Sequence, residues 1–323
     1  MPGARSAIAH CLAVKADEQV AIVVEPEHGA IAAALLRAAE DLGAKTVVYL
    51  VNGSQATAER FVQRVAERVA ECDASVLVAS VHGLPTPFRK RMIDAGGAKR
   101  RHAHMVGLTE PMMLQGMRAD YEEVRSAGER LIARLSGSST LSVTSVTGTE
   151  LEVRLDSRHS WHNACGLISP GSWGNLPGGE VYTAPASVDG VFCADGGVWM
   201  PDGRELSRAS RLRFFFEAGS LVRVEGKEAE AAEHLLAITE DAPNGRRVGQ
   251  VAFGTNVAVL TPIGALLQDL KMPGFHLALG ETYREHTGAG WGSPIEIPLL
   301  LRRADVLLDG ESVMVRGRYV FDA

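Results

Sequence analysis

Several features that would place a chain quickly are missing from this one. Only four cysteines are present (Cys11, Cys72, Cys165, Cys193), far apart and without CxxC spacing. That excludes a disulfide framework or a cysteine-based zinc module, and it leaves buried thiols in a reducing compartment as the expectation. No apolar run approaches the roughly 20 residues that span a bilayer. Basic residues are not in excess: 33 Lys and Arg stand against 39 Asp and Glu, for a net charge of −6. This argues against nucleic acid or an anionic membrane as partner, since both select a basic surface. The opening MPGARSAIAHCLAVKADE has no clean apolar stretch followed by a cleavage site, so a signal peptide is not read and a cytoplasmic location is expected. No GxGxxG follows the first apolar run, and GxxxxGK[ST] occurs nowhere; a nucleotide site of the usual phosphate-loop form is therefore not expected. What remains is an ordinary globular composition, with 46% hydrophobic and 22% charged residues over 323 positions, long enough for two domains with their own cores.

Residues 1–130 alternate strand and helix signals. Short apolar runs at Val20–Val24, Thr46–Val51, Ser75–Ser80 and His104–Leu108 read as strands. Between and after them, Ala30–Leu42, Ala56–Val69 and Tyr121–Leu135 carry apolar residues at helical spacing, the first stopped by Gly43. This pattern predicts a parallel sheet with helices on both faces, an α/β scaffold domain. His102 and His104 form an HxH pair at the start of the fourth strand, for which a sheet-edge role is expected over a metal role. From Ser136 the text becomes strand-rich, with period-two alternation at Ser139–Val146 and Glu150–Asp156 and further strands at Leu206–Phe216 and Ser220–Glu225. One clear helix, Glu228–Thr239, interrupts them, and Ile168–Ala186 reads as a Gly/Pro-dense functional loop. Residues 131–323 are thus expected to form a β-rich α+β domain that carries the chemistry.

Four segments in this half occur in a telling order. NLPGGEVYTAP (Asn175–Pro185), VGQVAFGTN (Val248–Asn256), GFHLALGETY (Gly274–Tyr283) and SPIEIP (Ser293–Pro298) resemble, in sequence order, the NxPxGEVxTAP, IGELGIGTN, HxALGxxY and SxIHxD motifs of the aminopeptidase T family of metallopeptidases. The resemblance implies a metal site, a homodimer or multiple of a dimer, and a two-metal ligand set of two Glu, two His, an Asp and a Tyr. Glu180, His276 and Tyr283 match that set, whereas Gln250, Glu296 and Pro298 replace a Glu, a His and the Asp. Two close divalent ions repel and need several anionic ligands, and the two substitutions Gln250 and Pro298 remove that charge.

What remains, the His276 imidazole with the Glu180 and Glu296 carboxylates, is sufficient for one metal. That set resembles the facial triad of non-haem iron(II) oxygenases and, within the same superfamily, the single-iron 2,5-dihydroxypyridine dioxygenases. The expectation is therefore an Fe(II)-dependent dioxygenase (with Zn, Co or Mn as alternative metals) that cleaves or rearranges a hydroxylated pyridine-type ring, in a catabolic or biosynthetic setting. Its partners are a small aromatic substrate and O₂. Glu180, Tyr283 and His286 are the candidate acid–base groups, while Gln250, Thr255, Asn256, Trp291 and Ser293 are the candidate substrate contacts. The alternative is a metallo-aminopeptidase or amidohydrolase with a metal-activated water. A metal-free binding or scaffold protein is a third reading. His159 and His162 are read as structural, and Gln250 as bonding substrate or a metal-bound water.

Overall fold

The computed structural model describes residues 1–206, 212–227 and 229–320. The chain divides into two compact units, one of 1–125, 164–178 and 256–268, the other of 126–163, 179–255 and 269–323. The first unit thus stops its N-terminal segment at 125 and takes in two later segments beyond the expected 1–130. Ile168, Leu176 and Ala258 join its core, which also contains Val20, Ile22, Val76 and Met105.

The first unit holds a five-stranded sheet in the order Lys45–Leu50, Gln19–Val24, Ala74–Ala79, Arg101–Val106, Trp173–Asn175, and every pair is parallel. Two of its inner strands, Gln19–Val24 and Ala74–Ala79, are almost continuously apolar because both faces are covered. The helices Gly29–Glu40 and Glu59–Ala70 bury Ile31 and Leu35, and Val62 and Val69. The fourth strand begins at Arg101, earlier than the apolar pattern suggests, so His102 lies within the sheet and not at an edge. Its Nδ1 lies 2.8 Å from the Ser75 hydroxyl. All four cysteines are buried, and none forms a disulfide.

The second unit contains an eight-stranded and a seven-stranded sheet, both antiparallel throughout. One apolar cluster unites them, with Val143, Val153 and Phe214 from the larger sheet and Val251, Phe253, Leu277 and Leu299 from the smaller. The smaller sheet has the order Glu205–Leu206, Gly197–Trp199, Glu296–Leu301, Gly274–Gly280, Val248–Gly254, Glu180–Thr183, His162–Asn163. Two expectations change here. The expected loop at 168–186 contains the strand Glu180–Thr183 and leads directly into another, Pro185–Cys193, because Val181 and Thr183 find pairing partners in Phe253 and Val251. The Gly and Pro signals belong to the approach: a Cβ on Gly178 would stand 2.4 Å from the Gly166 Cα, so only glycine permits that backbone contact. The expected strand Leu206–Phe216 is realised as Arg213–Glu217, with 207–211 outside the described residues, and the helix runs Ala229–Asp241.

Candidate functional site

Strand periodicity selects the site. In the smaller sheet the residues Val181, Val251, Phe253, Phe275, Leu277, Leu279, Ile297 and Leu299 face the apolar core. Their alternates Glu180, Tyr182, Gln250, Ala252, His276, Ala278, Glu296 and Pro298 therefore share the opposite face. Tyr182, Ala252, His276 and Leu300 are in register across four strands, and Gln250, Ala278 and Pro298 form the next row on that face. Almost all of these residues are buried. A buried row with this much polarity needs partners for every group.

Glu296 is the best-provided group. Its carboxylate accepts from the Tyr283 hydroxyl at 2.9 Å and from the Gln250 amide at 3.1 Å. Burial pushes its pKa up, against the opposing pull of those two donors. The same carboxylate, together with burial, pushes the Tyr283 phenol well up. Tyr283 sits in the left-handed region at φ 49°, a strained position for a non-glycine residue and a frequent mark of functional sites. Glu281 fixes that turn by accepting from the backbone N–H groups of Tyr283 at 2.8 Å and Ser293 at 3.1 Å.

At the other end of the face, Glu180 forms a close ion pair with Lys271, and the two side chains are 8% and 5% exposed. Gly254 makes the pair possible. It is the register partner of Glu180, and a Cβ there would stand 1.9 Å from the Met272 carbonyl. Only a glycine lets the Lys271–Met272 backbone pass that close. Between the two ends lies His276, fully buried. Burial holds its pKa at about 4, so the ring is neutral. Although the Met272 carbonyl lies close enough to favour the protonated ring, neither ring nitrogen completes a hydrogen bond among the described residues.

The remaining expected residues are distributed unevenly. The His286 Nδ1 lies 2.5 Å from the Tyr182 hydroxyl, and its ring stacks on His162 with centroids 4.0 Å apart. His162 and His286 thereby join the Tyr182–Tyr283 group, whose rings are 5.8 Å apart. Thr255 is fully buried, and its hydroxyl has no hydrogen bond among the described residues. The Asn256 amide nitrogen donates to the carbonyls of Gly116 and Gly178, so it ties backbone segments together. Trp291 lies under the Arg247 guanidinium, 3.7 Å from ring centre to Cζ. The Ser293 hydroxyl accepts from the Ile295 amide within its own turn. Lys271 was not legible beforehand: it lies outside the four motifs, and nothing in its neighbours LQDLKMPG signals burial beside Glu180.

Among the described residues, the donor atoms of Glu180, His276 and Glu296 do not converge, and the only three donors of such types within 4.8 Å of one another are Glu25, Glu27 and His28 in the other unit. There Glu25 is already bonded by the Ser80 amide and hydroxyl. On the site face, neither His276 ring nitrogen has a hydrogen bond among the described residues. The Glu180 carboxylate holds an ammonium, the Glu296 carboxylate holds a phenol and an amide, and proline stands where the motif has Asp. These residues do not fit a metal as they are arranged.

The comparisons with known proteins agree with the motifs. The sequence model of the 2,5-dihydroxypyridine 5,6-dioxygenase family (NicX) matches residues 4–260. The chain belongs to that family. Among solved structures it is similar to the 2,5-dihydroxypyridine dioxygenase of Pseudomonas putida, with TM-score 0.71 and 18% identity over 99% of this chain and 96% of that one. It is equally similar to wild-type AmpT of Thermus thermophilus, with TM-score 0.71 and 20% identity over 98% of each chain. At such identities the two structures establish the shared fold. No curated protein sequence matches.

Proposed function

We infer that this family member is an enzyme that binds a hydroxylated pyridine-type ring on the polar face of the smaller sheet and directs its cleavage by O₂. The observation that carries the reading is the Glu296–Tyr283–Gln250 group. A desolvated carboxylate whose oxygens are held by a phenol and an amide is a proton acceptor poised in a water-poor site. The tilted rings of Tyr182 and Tyr283 beside it offer a flat surface for an aromatic ligand.

The chemistry asks little more of the protein. A ring hydroxyl gives its proton to the Glu296 carboxylate, and Tyr283 keeps the carboxylate oriented. The electron-rich ring anion then reacts with O₂. One ring carbon–carbon double bond breaks, two carbon–oxygen bonds replace it, and both oxygen atoms remain in the opened product, so no external reductant is required. His276, neutral and with neither ring nitrogen hydrogen-bonded among the described residues, is available to bond a ring substituent. The hydrolase alternative needs a metal-activated water, for which the donor set is not assembled.

Oxygen-electrode assays with a panel of hydroxypyridines test the reading. Uptake that depends on ring hydroxylation and drops at least about a hundredfold in Glu296→Gln is expected, in line with the loss of a positioned general base. Absence of uptake with every hydroxypyridine, together with hydrolysis of aminoacyl amides, would transfer the site to the hydrolase reading.

A further inference from the structure

The face described above has two carboxylates, and a metal is the usual answer to such a charge excess. Here a different cation is already present. The Lys271 ammonium contacts Glu180, and its charge is felt at both His276 and Glu296. It therefore stands among the three residues that the motifs would make into metal ligands. Its only hydrogen bond among the described residues is the one to Glu180, which leaves two of its three N–H donors without a protein acceptor. The neighbouring His276 is fully buried, and neither ring nitrogen has a hydrogen bond among the described residues. Unused donors beside an unused imidazole, in a site closed to solvent, mark the position of a ligand oxygen.

We propose that Lys271 is the resident cation of this face, in place of a metal, and that it receives the anionic oxygen of the deprotonated ring. The ring class rests on the function inferred above; the cation role does not. The step is a proton transfer: the ring O–H breaks, its proton goes to Glu296, and the oxygen, now negative, pairs with the ammonium. Such a contact is charge-assisted at both ends and strong in a desolvated setting. Glu180 then acts as a positioning residue that anchors the ammonium, and Gly254 allows the anchoring loop to reach the sheet.

Two measurements on the full-length protein separate the cation claim from the ring claim. In the first, calorimetric titration with Fe(II), and separately with Zn(II), compares wild type, Glu180→Gln and Lys271→Met. The wild type and Glu180→Gln are expected to show the same metal binding, because Glu180 is occupied by Lys271. Lys271→Met uncovers Glu180 and His276 and is expected to gain a Glu180-dependent site. Stoichiometric metal in the wild type that disappears in Glu180→Gln would overturn the proposal whatever the substrate is.

In the second, chelator-treated protein is titrated anaerobically with 2,5-dihydroxypyridine and followed by difference absorption. The spectrum of the ring anion is expected, with the same affinity before and after chelation. Lys271→Met alone leaves a buried carboxylate unpaired and risks misfolding, so the neutral double variant Lys271→Met/Glu180→Gln is the control. Once its fold is verified by circular dichroism, it is expected to bind about 10- to 100-fold more weakly, in line with loss of a charged hydrogen bond, and to show the neutral ring. Equal affinity in the double variant, or binding lost on chelation and restored by Fe(II), would refute the role of Lys271. Absence of ring binding in every form, with the first measurement as expected, would instead refute the ring class.

Discussion

Replacing Tyr283 by Phe removes one oxygen atom and isolates one interaction. The phenol donates to Glu296 at 2.9 Å, and the other donor to that carboxylate, Gln250, is also held by the Glu281 carbonyl at 2.9 Å and cannot easily move to compensate. A hydrogen bond to a charged acceptor contributes about 1.5–3 kcal/mol, whereas one between neutral groups contributes about 0.5–1.5 kcal/mol. The variant should therefore lose stability mostly where Glu296 is ionised. The sign follows from linkage. Burial already sets the carboxyl above its ordinary range, so the folded state binds protons that the unfolded state releases, and stability falls as pH rises through the folded value. Losing the phenol moves that value further up and steepens the fall. Isotope-edited infrared difference spectra of ¹³C-glutamate-labelled protein would follow the protonated carboxyl band against pH. Its midpoint should move upward in Tyr283→Phe, and denaturant unfolding should show a larger deficit at neutral than at mildly acid pH. A midpoint that stays still or moves down would refute the electrostatic account of the group.

Other outcomes follow from individual contacts. Gly254→Ala places a Cβ 1.9 Å from the Met272 carbonyl; the loop carrying Lys271 must shift, and ring affinity should drop together with about 1–3 kcal/mol of stability, as read by titration and thermal unfolding. Gly83→Ala would set its Cβ 1.7 Å from Oε1 of Glu25, a carboxylate whose Oε2 accepts from the Ser80 amide and hydroxyl. A lower Tm is expected with ring affinity unchanged. His276 is held neutral at about 4 by burial, below its ordinary 6.5, so the stability it allows is complete above pH 6.5 and is lost as pH falls towards 4, on the order of 3 kcal/mol by then. In His276→Leu, pH-dependent unfolding curves should flatten over that interval. His286→Ala removes the ring that, after burial, most depresses the His162 pKa, so the His162 NMR titration should move up from about 4 towards its ordinary value.

The parallel sheet was readable where its strands are apolar runs, at Gln19–Val24, Lys45–Leu50 and Ala74–Ala79; Trp173–Asn175 has no such run and lies within the expected loop. The helix Tyr121–Leu135 and the strand Ser220–Glu225 coincide with their sequence patterns. Glu180–Thr183 was hidden because its flanking Gly and Pro residues serve close backbone packing, which composition cannot distinguish from a loop. Likewise, motif order pointed to Glu180, Gln250, His276, Tyr283 and Glu296, and the alternation of each strand then places four of them on one sheet face. What no pattern could supply is which group answers each carboxylate. Lys271 and Tyr283 reach Glu180 and Glu296 through chain geometry: a glycine-permitted crossing in one case, a left-handed turn in the other. The segments 164–178 and 256–268 join the first unit through Ile168, Leu176 and Ala258, contacts too distant in sequence for local periodicity to register.

The most direct test of the account is the fate of oxygen in a single turnover. Purified protein mixed with 2,5-dihydroxypyridine under ¹⁸O₂ should yield a ring-opened product carrying both labelled atoms, as mass spectrometry would show. Unchanged substrate, or a product whose new oxygen comes from water, would contradict the claim that this face directs dioxygen to a hydroxylated ring.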